Sequence, residues 1–280
     1  MRKVLIQGIS GCNHYIAAKE YFAGEEVETI DCETFKELAS KVASDSELCG
    51  LMAVENTIAG SLLQNFRLIC NYNLKVIGEY KLRIKHSLVA LPGVSLDDIK
   101  EVNSHPMALM QCAEYLENLK HAKLVEKDDT AASAKWIKEN DLRDHAAICP
   151  KQAAELYGLN VLADGIETNK RNFTRFVVVA NRDAATSLDL ANINKSSIAF
   201  TLSHSTGSLS KVLTILSFYD MNLSMIQSLP VVGKEWEYQF YINLLFDNFD
   251  RYRQAVSAIT PLIGELQILG EYEDGKQNVG

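Results

Sequence analysis

Thr174 and Arg175 are the pair of residues in this sequence best suited to chemistry on a small anionic molecule. They stand at the entrance of an apolar run, Phe176 to Ala180, that is typical of a buried strand. Arg175 carries a permanent charge and a planar fork of donors that suits a carboxylate, whereas Thr174 offers one hydroxyl donor on a stiff side chain. We therefore expect a binding or catalytic site here, although a strand start whose Thr and Arg only face water would give the same pattern.

Polar side chains follow other predicted strands in the same way. Asn56 comes shortly after the apolar strand Leu51 to Val54, and ligands bind at such strand ends in open α/β folds. Ser104 precedes a helix that begins with Pro106, so it could cap that helix, contact a ligand, or do both. Gln111 lies further along this helix and could face the same cleft as Ser104. These positions together predict a cleft that closes over a small polar molecule.

The turn between the first strand and the first helix, Gly8 to His14, is a further candidate. Its glycines and polar residues leave free backbone N–H groups at a helix start, where an anion or a polar ligand is favoured. The pair Gly8 and Gly11 lacks the third glycine of a dinucleotide-binding fingerprint. A plain turn with no ligand is the alternative.

Charge and hydrophobic patterning exclude several classes of protein. The 280-residue chain has a formal net charge of −8 and a pI near 5.3, which argues against nucleic acid as a partner. The first apolar run, Val4 to Ile6, is too short for the core of a signal peptide, and no later segment approaches the length of a membrane span. We expect a cytoplasmic protein with no membrane association.

The cysteines and histidines do not have the spacing of metal ligands. No two cysteines form a C-x-x-C pair, and most have apolar neighbours. This pattern fits reduced, buried thiols better than a zinc site or a disulfide framework, so we expect no metal. The cysteines are Cys12, Cys32, Cys49, Cys70, Cys112 and Cys149.

The order of predicted strands and helices divides the chain into domains. Strands alternate with helices over residues 1–182, which predicts an α/β domain of two lobes, the second at about 84–158. A linker follows at 183–194, and residues 195–272 have the order βαββαβ of a ferredoxin-like unit. Such a unit exposes one sheet face, so we expect it to pair with a copy of itself or to dock on the first domain. Residues 273–280 are expected to form a frayed tail.

Several motifs resemble the family of monofunctional prephenate dehydratases with a C-terminal ACT regulatory domain, and the likeness covers nearly the whole chain. The matching motifs of the first domain are Asn172-Phe173-Thr174-Arg175-Phe176, similar to the family's N-x-T-R-F signature, Val54-Glu55-Asn56-Thr57, Ser104-His105-Pro106 with Gln111-Cys112, and the glycine-rich Gly8 to Ala18. The matching motifs of the ACT unit are Thr206-Gly207-Ser208-Leu209, Gln227-Ser228-Leu229-Pro230 and Trp236-Glu237-Tyr238-Gln239-Phe240.

The resemblance implies a fold and a reaction. The implied fold is a two-lobed, periplasmic-binding-protein-like (type II) catalytic domain followed by a ferredoxin-like βαββαβ ACT domain. In the implied reaction, a carbon–oxygen lyase removes the ring hydroxyl of prephenate together with a carboxylate as carbon dioxide, which gives phenylpyruvate on the way to phenylalanine. No cofactor is implied, because the ring becomes aromatic as decarboxylation proceeds.

The resemblance also implies roles for individual residues. The implied catalytic residues are Thr174, as the donor to the departing oxygen, and Arg175, which would help to bind and orient the carboxylates and the hydroxyl. The implied substrate contacts are Cys12, Asn56, Thr57, Ser104, Gln111, Asn172 and Phe176. Phenylalanine is the implied allosteric effector, and a homodimer or homotetramer formed through the ACT and catalytic domains is the implied assembly. The implied effector contacts are Thr206, Gly207, Ser208, Leu209, Gln227 and Ser228.

Some positions depart from the family pattern. Cys12 stands where the family has a small hydroxyl residue, and Asp129 stands at the first position of the family's Ser-Thr-Ala. Gln227 and Leu229 replace a Glu and an Arg of the ACT unit, so phenylalanine would lose a full charge among its contacts.

Two other functions remain open on the sequence. An arogenate dehydratase would act on a substrate with an amino group in place of the keto oxygen, and the sequence does not separate the two enzymes. A non-catalytic solute-binding or amino-acid-sensing module would also have two lobes around a cleft.

Overall fold

The computed structural model describes residues 1–183, 192–231, 233–234 and 237–275. The described chain forms three parts: a first lobe, a second lobe inserted into it, and a C-terminal unit. The elements of the first lobe are β1 (Arg2–Gln7), α1 (Asn13–Tyr21), β2 (Val27–Cys32), α2 (Phe35–Ser44), β3 (Cys49–Asn56), β4 (Gly60–Ser61), α3 (Leu63–Asn71) and β5 (Leu74–Arg83).

The second lobe begins after β5. Its elements are β6 (Ser87–Ala90), β7 (Glu101–Ser104), α4 (Pro106–Gln111), α5 (Ala113–Leu116), β8 (Lys123–Glu126), α6 (Thr130–Glu139), β9 (His145–Cys149), α7 (Lys151–Tyr157) and β10 (Asn160–Ala163). Its sheet has the order β10-β6-β9-β7-β8, with β7 parallel to both β8 and β9. Because β10 pairs with β6, this lobe continues beyond the predicted end at residue 158.

Strand β11 (Phe173–Asn181) returns the chain to the first lobe. It lies between β3 and β5 and is antiparallel to both, in a sheet of order β2-β1-β3-β11-β5. Its apolar run is buried on both faces, as the uninterrupted pattern Phe176 to Ala180 predicted. The polar residues that precede this run therefore lie at the mouth of an interior strand.

Local sequence signals fix the ends of several helices. The side chain of Thr34 accepts a hydrogen bond from Glu37 N at 3.1 Å and caps α2, and Asp129 accepts from Ala132 N at 2.7 Å and caps α6. Helix α7 ends at Gly158, which has φ of 66°. This is the left-handed conformation in which glycine commonly ends a helix.

The C-terminal unit has the βαββαβ order. Its elements are β12 (Lys195–Leu202), α8 (Ser208–Phe218), β13 (Asn222–Pro230), β14 (Tyr238–Leu245), α9 (Phe249–Ile259) and β15 (Leu266–Tyr272). The sheet has the order β13-β14-β12-β15, and every pair is antiparallel. The two-lobed α/β architecture and the ferredoxin-like unit are both confirmed.

The sheet face without helices docks on the first lobe. Tyr241 of β14 and Leu269 of β15 share one buried core with Phe66 of α3 and Val177 of β11. At Gly270 an added Cβ would overlap the backbone of β5 at Val76, so only glycine permits this approach. Of the two expectations for the exposed sheet face, docking on the first domain is therefore observed.

Some predicted features fall outside the described residues. Residues 184–191 of the predicted linker, 276–280 of the predicted tail, and Val232, Glu235 and Trp236 belong to this group. Within the described part of the chain, no helix is long and apolar enough to cross a membrane, and no group of three or more Asp, Glu, His or Cys side chains could hold a metal ion.

Candidate active site

A cavity of about 270 Å³ lies between the two lobes. Asn56 and Thr174 line it from the first lobe, and Gln111 and Asp129 line it from the second. Such a volume suits a small molecule held between two domains. Of the residues predicted to contact substrate, the cavity is lined by Cys12, Asn56, Gln111, Thr174 and Phe176.

A β-bulge places Asn56 opposite Thr174. Arg175 pairs with Glu55, but the next residue, Phe176, pairs with Ala53, so Val54 is the extra residue of β3. A bulge re-aims the side chains that follow it. As a result, Asn56 faces the cavity like Ala53, although an unbroken alternation would put them on opposite faces of the sheet.

The hydrogen bonds of Asn56 determine which way its amide points. Its Oδ1 accepts from the backbone N–H groups of Ile58 and Ala59, at 2.9 and 2.8 Å. Its Nδ2 must therefore face the other way, where it donates to Thr174 Oγ1 at 2.9 Å and to Asn172 Oδ1 at 2.8 Å. Thr174 accepts this bond with its oxygen, which leaves its own O–H free to donate into the cavity.

The chain of hydrogen bonds continues into the second lobe. Asn172 Nδ2 donates to Gln111 Oε1 at 3.0 Å, and this oxygen also lies 2.9 Å from His86 Nε2. Because Gln111 Oε1 can only accept, His86 must carry its proton on Nε2. Burial lowers the pKa of His86, so its ring is neutral at pH 7.

His86 was missed in the sequence analysis. It lines the cavity, and its backbone N–H donates to Glu167 Oε2 at 3.0 Å, which fixes the segment that crosses between the lobes. The available signal was a titratable residue at the start of an apolar strand, Ser87 to Ala90. That signal is weak, because strand ends often carry polar residues for solubility alone.

One wall of the cavity is aromatic. His14 and Phe176 have ring centroids 5.0 Å apart in an edge arrangement, and His14 also contacts Phe35 at 5.3 Å. Burial lowers the pKa of His14 to about 4, so this ring is uncharged at neutral pH. His14 was named in the sequence only as part of the glycine-rich turn.

Cys12 lies at the base of this turn and is 3% exposed. Burial raises the pKa of its thiol to about 12, so it stays protonated. Its Sγ lies 3.6 Å from the carbonyl oxygen of Gln7, which makes it at most a weak donor within the cavity wall.

The charged side chains of the cavity are acidic. Asp129 and the exposed Asp128 line it, and among its described lining residues there is no Lys or Arg. Asp129 uses Oδ1 to cap α6, and an added Cβ at Gly8 would lie 3.1 Å from Oδ2, so this carboxylate sits against the glycine-rich turn. Burial raises the pKa of Asp129, because the loss of solvation outweighs the hydrogen bonds from the start of α6.

Four predicted site residues do not line the cavity, and two of them instead secure the sheets around it. Ser104 is fully buried and donates to Ile148 O at 2.6 Å, so it holds the second sheet together. Thr57 accepts from Phe173 N at 2.9 Å and secures the loop in front of β11. The structure shows a structural role for both residues, and their contact with a ligand stays a prediction.

The other two residues outside the cavity lining are Arg175 and Asn172. Arg175 points to the opposite face of β11 from Thr174, because consecutive side chains alternate across a strand. Asn172 is buried behind the cavity, and its side chain is hydrogen-bonded to two lining residues, Asn56 and Gln111. Arg175 is thus not among the residues that line the cavity, and its catalytic role stays a prediction.

The predicted effector residues lie on the C-terminal unit. Thr206 to Leu209 surround the start of α8, where Gly207 has φ of 78°. Gln227 and Ser228 belong to β13, which is an edge strand of the sheet. Neither group lines the cavity between the lobes.

Comparisons with known proteins point to one family. A family model described as prephenate dehydratase matches residues 4–184. Arogenate dehydratase 1 of Petunia hybrida is 34% identical over 286 residues, which cover 96% of this chain and 66% of that protein. The chain thus spans about two thirds of this plant relative.

Solved structures give the same picture for the fold. A prephenate dehydratase from Arthrobacter aurescens in complex with L-Phe superposes with a TM-score of 0.88 at 27% identity and covers 99% of this chain and 91% of that one. A protein described as a novel type of quorum quenching acylase, GqqA, has the same TM-score of 0.88 at 26% identity and covers 98% of both chains.

Proposed function

The chain belongs to the prephenate dehydratase family, and we propose from this premise that the cavity between its lobes binds prephenate or its 2-amino analogue, arogenate. The reaction is a dehydration coupled to decarboxylation at the ring. The observation that carries the proposal is the hydroxyl of Thr174, which lies on the cavity wall with its own hydrogen directed by Asn56.

Thr174 acts on the departing hydroxyl group. As the ring carbon–oxygen bond breaks, negative charge develops on the oxygen, and a donor already pointed at it stabilises the transition state. The bond from the ring to its carboxylate breaks in the same process and releases carbon dioxide, while its electron pair completes the aromatic ring. The departing oxygen takes up a proton from the solvent and leaves as water, so the protein itself needs to supply only position and hydrogen bonds.

The hydrogen-bond chain from His86 to Thr174 keeps this donor aligned. Asn56 Oδ1 already accepts from two backbone N–H groups, so Asn56 Nδ2 must donate to Asn172 Oδ1. Asn172 Nδ2 is thereby directed to donate to Gln111 Oε1. The chain joins Asn56 of the first lobe to Gln111 of the second, so the alignment of Thr174 depends on the lobes being closed. The ring of the substrate would pack on the His14 and Phe176 wall.

An acyl-transfer reaction, as suggested by the description of GqqA, is less well supported. A hydroxyl nucleophile needs a general base that takes its proton. Thr174 Oγ1 instead accepts a hydrogen bond from the amide of Asn56, which is no base. The high pKa of Cys12, raised by burial to about 12, also removes a thiolate nucleophile.

Arogenate is the second candidate substrate, and the charge of the cavity favours it. Prephenate brings two carboxylates, whereas arogenate adds an ammonium group that cancels one of the negative charges. The cavity has two Asp side chains, and its described lining has no Lys or Arg, so an ammonium group beside Asp129 would be attracted and a second net negative charge repelled.

Regulation by phenylalanine is a further part of the proposal. The C-terminal unit has the ACT-like order, and the neighbour from Arthrobacter aurescens is described as a complex with L-Phe. Phenylalanine would bind between C-terminal units of a homodimer or homotetramer. Calorimetry with millimolar phenylalanine tests this, and a titration without heat would count against it. The contacts proposed for phenylalanine are Thr206, Gly207, Ser208, Leu209, Gln227 and Ser228.

Turnover of purified protein is the direct test of the function. Prephenate and arogenate are supplied separately, and the formation of phenylpyruvate or phenylalanine is followed. We expect turnover of both, with a larger kcat/KM for arogenate. No turnover of either substrate would refute the enzyme assignment and leave the solute-binding alternative.

A further inference from the structure

Arg175 lies in the interface between the first lobe and the C-terminal unit. It is 7% exposed, and its Nη1 and Nη2 lie 2.6 and 2.8 Å from the side-chain amide of Asn243 on β14. Because a guanidinium only donates, the amide atom that faces it must be Oδ1. Asn243 Nδ2 then donates to Ser197 Oγ at 2.7 Å on the neighbouring strand.

Two carboxylates lie within ion-pair distance of Arg175 but form no hydrogen bond with it: Glu55 Oε2 is 3.7 Å from Nη1, and Glu79 Oε2 is 3.8 Å from Nε. Glu79 Oε1 receives a hydrogen bond from Lys195 Nζ at 2.7 Å across the same interface. The other carboxylate oxygen, Oε2, and Nε of Arg175 are both buried without a hydrogen bond, and they lie 3.8 Å apart. The two groups already form an ion pair, and a small shift would bring these two unsatisfied atoms to hydrogen-bond distance.

Thr174 and Arg175 are consecutive residues of β11, which ties the two sites together. Thr174 faces the cavity between the lobes, and Arg175 faces the C-terminal unit. Any movement of the backbone that releases Arg175 from Asn243 also moves the peptide of Thr174. The hydroxyl must keep its contact with Asn56 at 2.9 Å, so small displacements matter.

We propose that Arg175 is a positioning residue through which the docked C-terminal unit sets the alignment of the Thr174 hydroxyl. When Asn243 holds the guanidinium, the alignment seen here is maintained; when the C-terminal unit shifts, Arg175 moves to Glu79 and Thr174 loses its alignment. These are two discrete arrangements of one buried side chain, which is what coupling between distant sites requires. The inference rests on the proposed function for its activity readout.

The test changes Asn243, which lies on the C-terminal unit and lines no part of the cavity. For Asn243→Ala we expect kcat to fall about tenfold while KM stays within about twofold, since substrate contacts are unchanged. Asn243→Asp retains an oxygen toward Arg175 and should keep turnover within about twofold of the wild type.

Arg182 provides the matched control. It directly follows β11, and it crosses the same interface by donating to Ile268 O and Leu74 O, at 3.1 Å each. Arg182→Met should lower the melting temperature as much as Asn243→Ala does, yet leave kcat within about twofold. A purely structural role of the interface would instead lower kcat in both variants or in neither, and either result would overturn the proposal.

Hydrogen exchange at the backbone N–H of Thr174 gives a readout that does not depend on the reaction. Asn243→Ala should speed exchange there, whereas Arg182→Met should not. If the wild type turns over neither substrate, the proposed function fails, and the coupling is then judged by this exchange alone. Equal exchange in the two variants would overturn the coupling.

Discussion

Asn56 Nδ2 lies 2.9 Å from Thr174 Oγ1, and this bond sets the direction of the hydroxyl hydrogen. The amide cannot be reversed, because Asn56 Oδ1 is held by the N–H groups of Ile58 and Ala59. Thr174 is therefore an acceptor toward Asn56 and a donor toward the cavity. The geometry thus aims the hydroxyl hydrogen of Thr174 into the cavity.

Removal of the Thr174 hydroxyl should reduce kcat strongly. For Thr174→Ala we expect a loss on the order of 10²–10³-fold, in the range found when one positioned donor is removed. Thr174→Ser is the matched control, because it keeps the oxygen and should retain most of the activity. Steady-state kinetics with both substrates measures the effect, and near wild-type turnover in Thr174→Ala would remove this residue from the mechanism.

Reversal of the Asn56 hydrogen bond should be as damaging as the loss of Thr174. Asn56→Asp keeps the acceptor for Ile58 and Ala59 but replaces the donor Nδ2 by an oxygen. Thr174 would then donate to the new carboxylate and no longer into the cavity, so kcat should fall on the order of 10²-fold. Circular dichroism should be unchanged. Full activity in this variant would contradict the assigned direction of the hydroxyl.

Asp129 should govern the choice between the aminated and the keto substrate. Asp129→Ser retains a helix cap for α6 but removes the carboxylate from the cavity. We expect the ratio of kcat/KM for arogenate to that for prephenate to fall about tenfold, since one charge interaction is lost. Asp128→Ser, at the exposed edge, is the control and should change the ratio less. An unchanged ratio in Asp129→Ser would rule out an ammonium contact.

Acid should destabilise the protein through His14. Burial lowers the pKa of this ring from 6.5 to about 4, so between these values the unfolded chain binds a proton that the folded chain does not. The free energy of unfolding should therefore fall as the pH drops from 6.5 toward 4. Urea unfolding of the wild type and His14→Gln at pH 7 and pH 5 tests this. The variant should lose less stability on acidification than the wild type. Part of the loss that persists in the variant comes from His86, whose pKa is also lowered by burial.

A methyl group at Gly270 should disrupt the docking of the C-terminal unit. The added Cβ would overlap Val76 O, and a backbone atom of a hydrogen-bonded strand cannot easily move aside. Gly270→Ala should lower the free energy of unfolding by about 1–3 kcal/mol, as other overpacked sites do. Ser224→Ala, at an exposed position of β13, should change it by less than about 0.5 kcal/mol. Equal stability of the two variants would contradict the close approach.

Sequence patterns predicted the architecture well, because strands and helices are recognised from the periodicity of apolar residues along the chain. The apolar run in β11, the alternation of strands and helices, and the βαββαβ order all depend on local burial patterns. Thr174, Asn56 and Gln111 were identified as candidates from polar residues next to such patterns, and the structure brings all three to one cavity.

Other features depend on contacts that no local pattern encodes. The motif suggested a joint role for Thr174 and Arg175, but side chains alternate along β11, so the two point to opposite faces of the sheet. Arg175 contacts Asn243 of the C-terminal unit, a residue distant in sequence. Ser104 is of a residue type that often binds ligands, yet the register of β7 turns its hydroxyl toward the backbone of β9. His86 joins the hydrogen-bond chain through Gln111, a helix residue 25 positions further along the chain.

The common core beneath the C-terminal sheet has a consequence for how this protein could have been assembled. Phe66 packs on Tyr241, and Val177 and Leu269 belong to the same buried core, so either part alone would expose apolar side chains. A gene fragment that encoded either part alone would yield an aggregation-prone product with uncovered apolar side chains. Gain or loss of the C-terminal part during evolution would thus require simultaneous changes on the partner face, which makes this pairing hard to exchange.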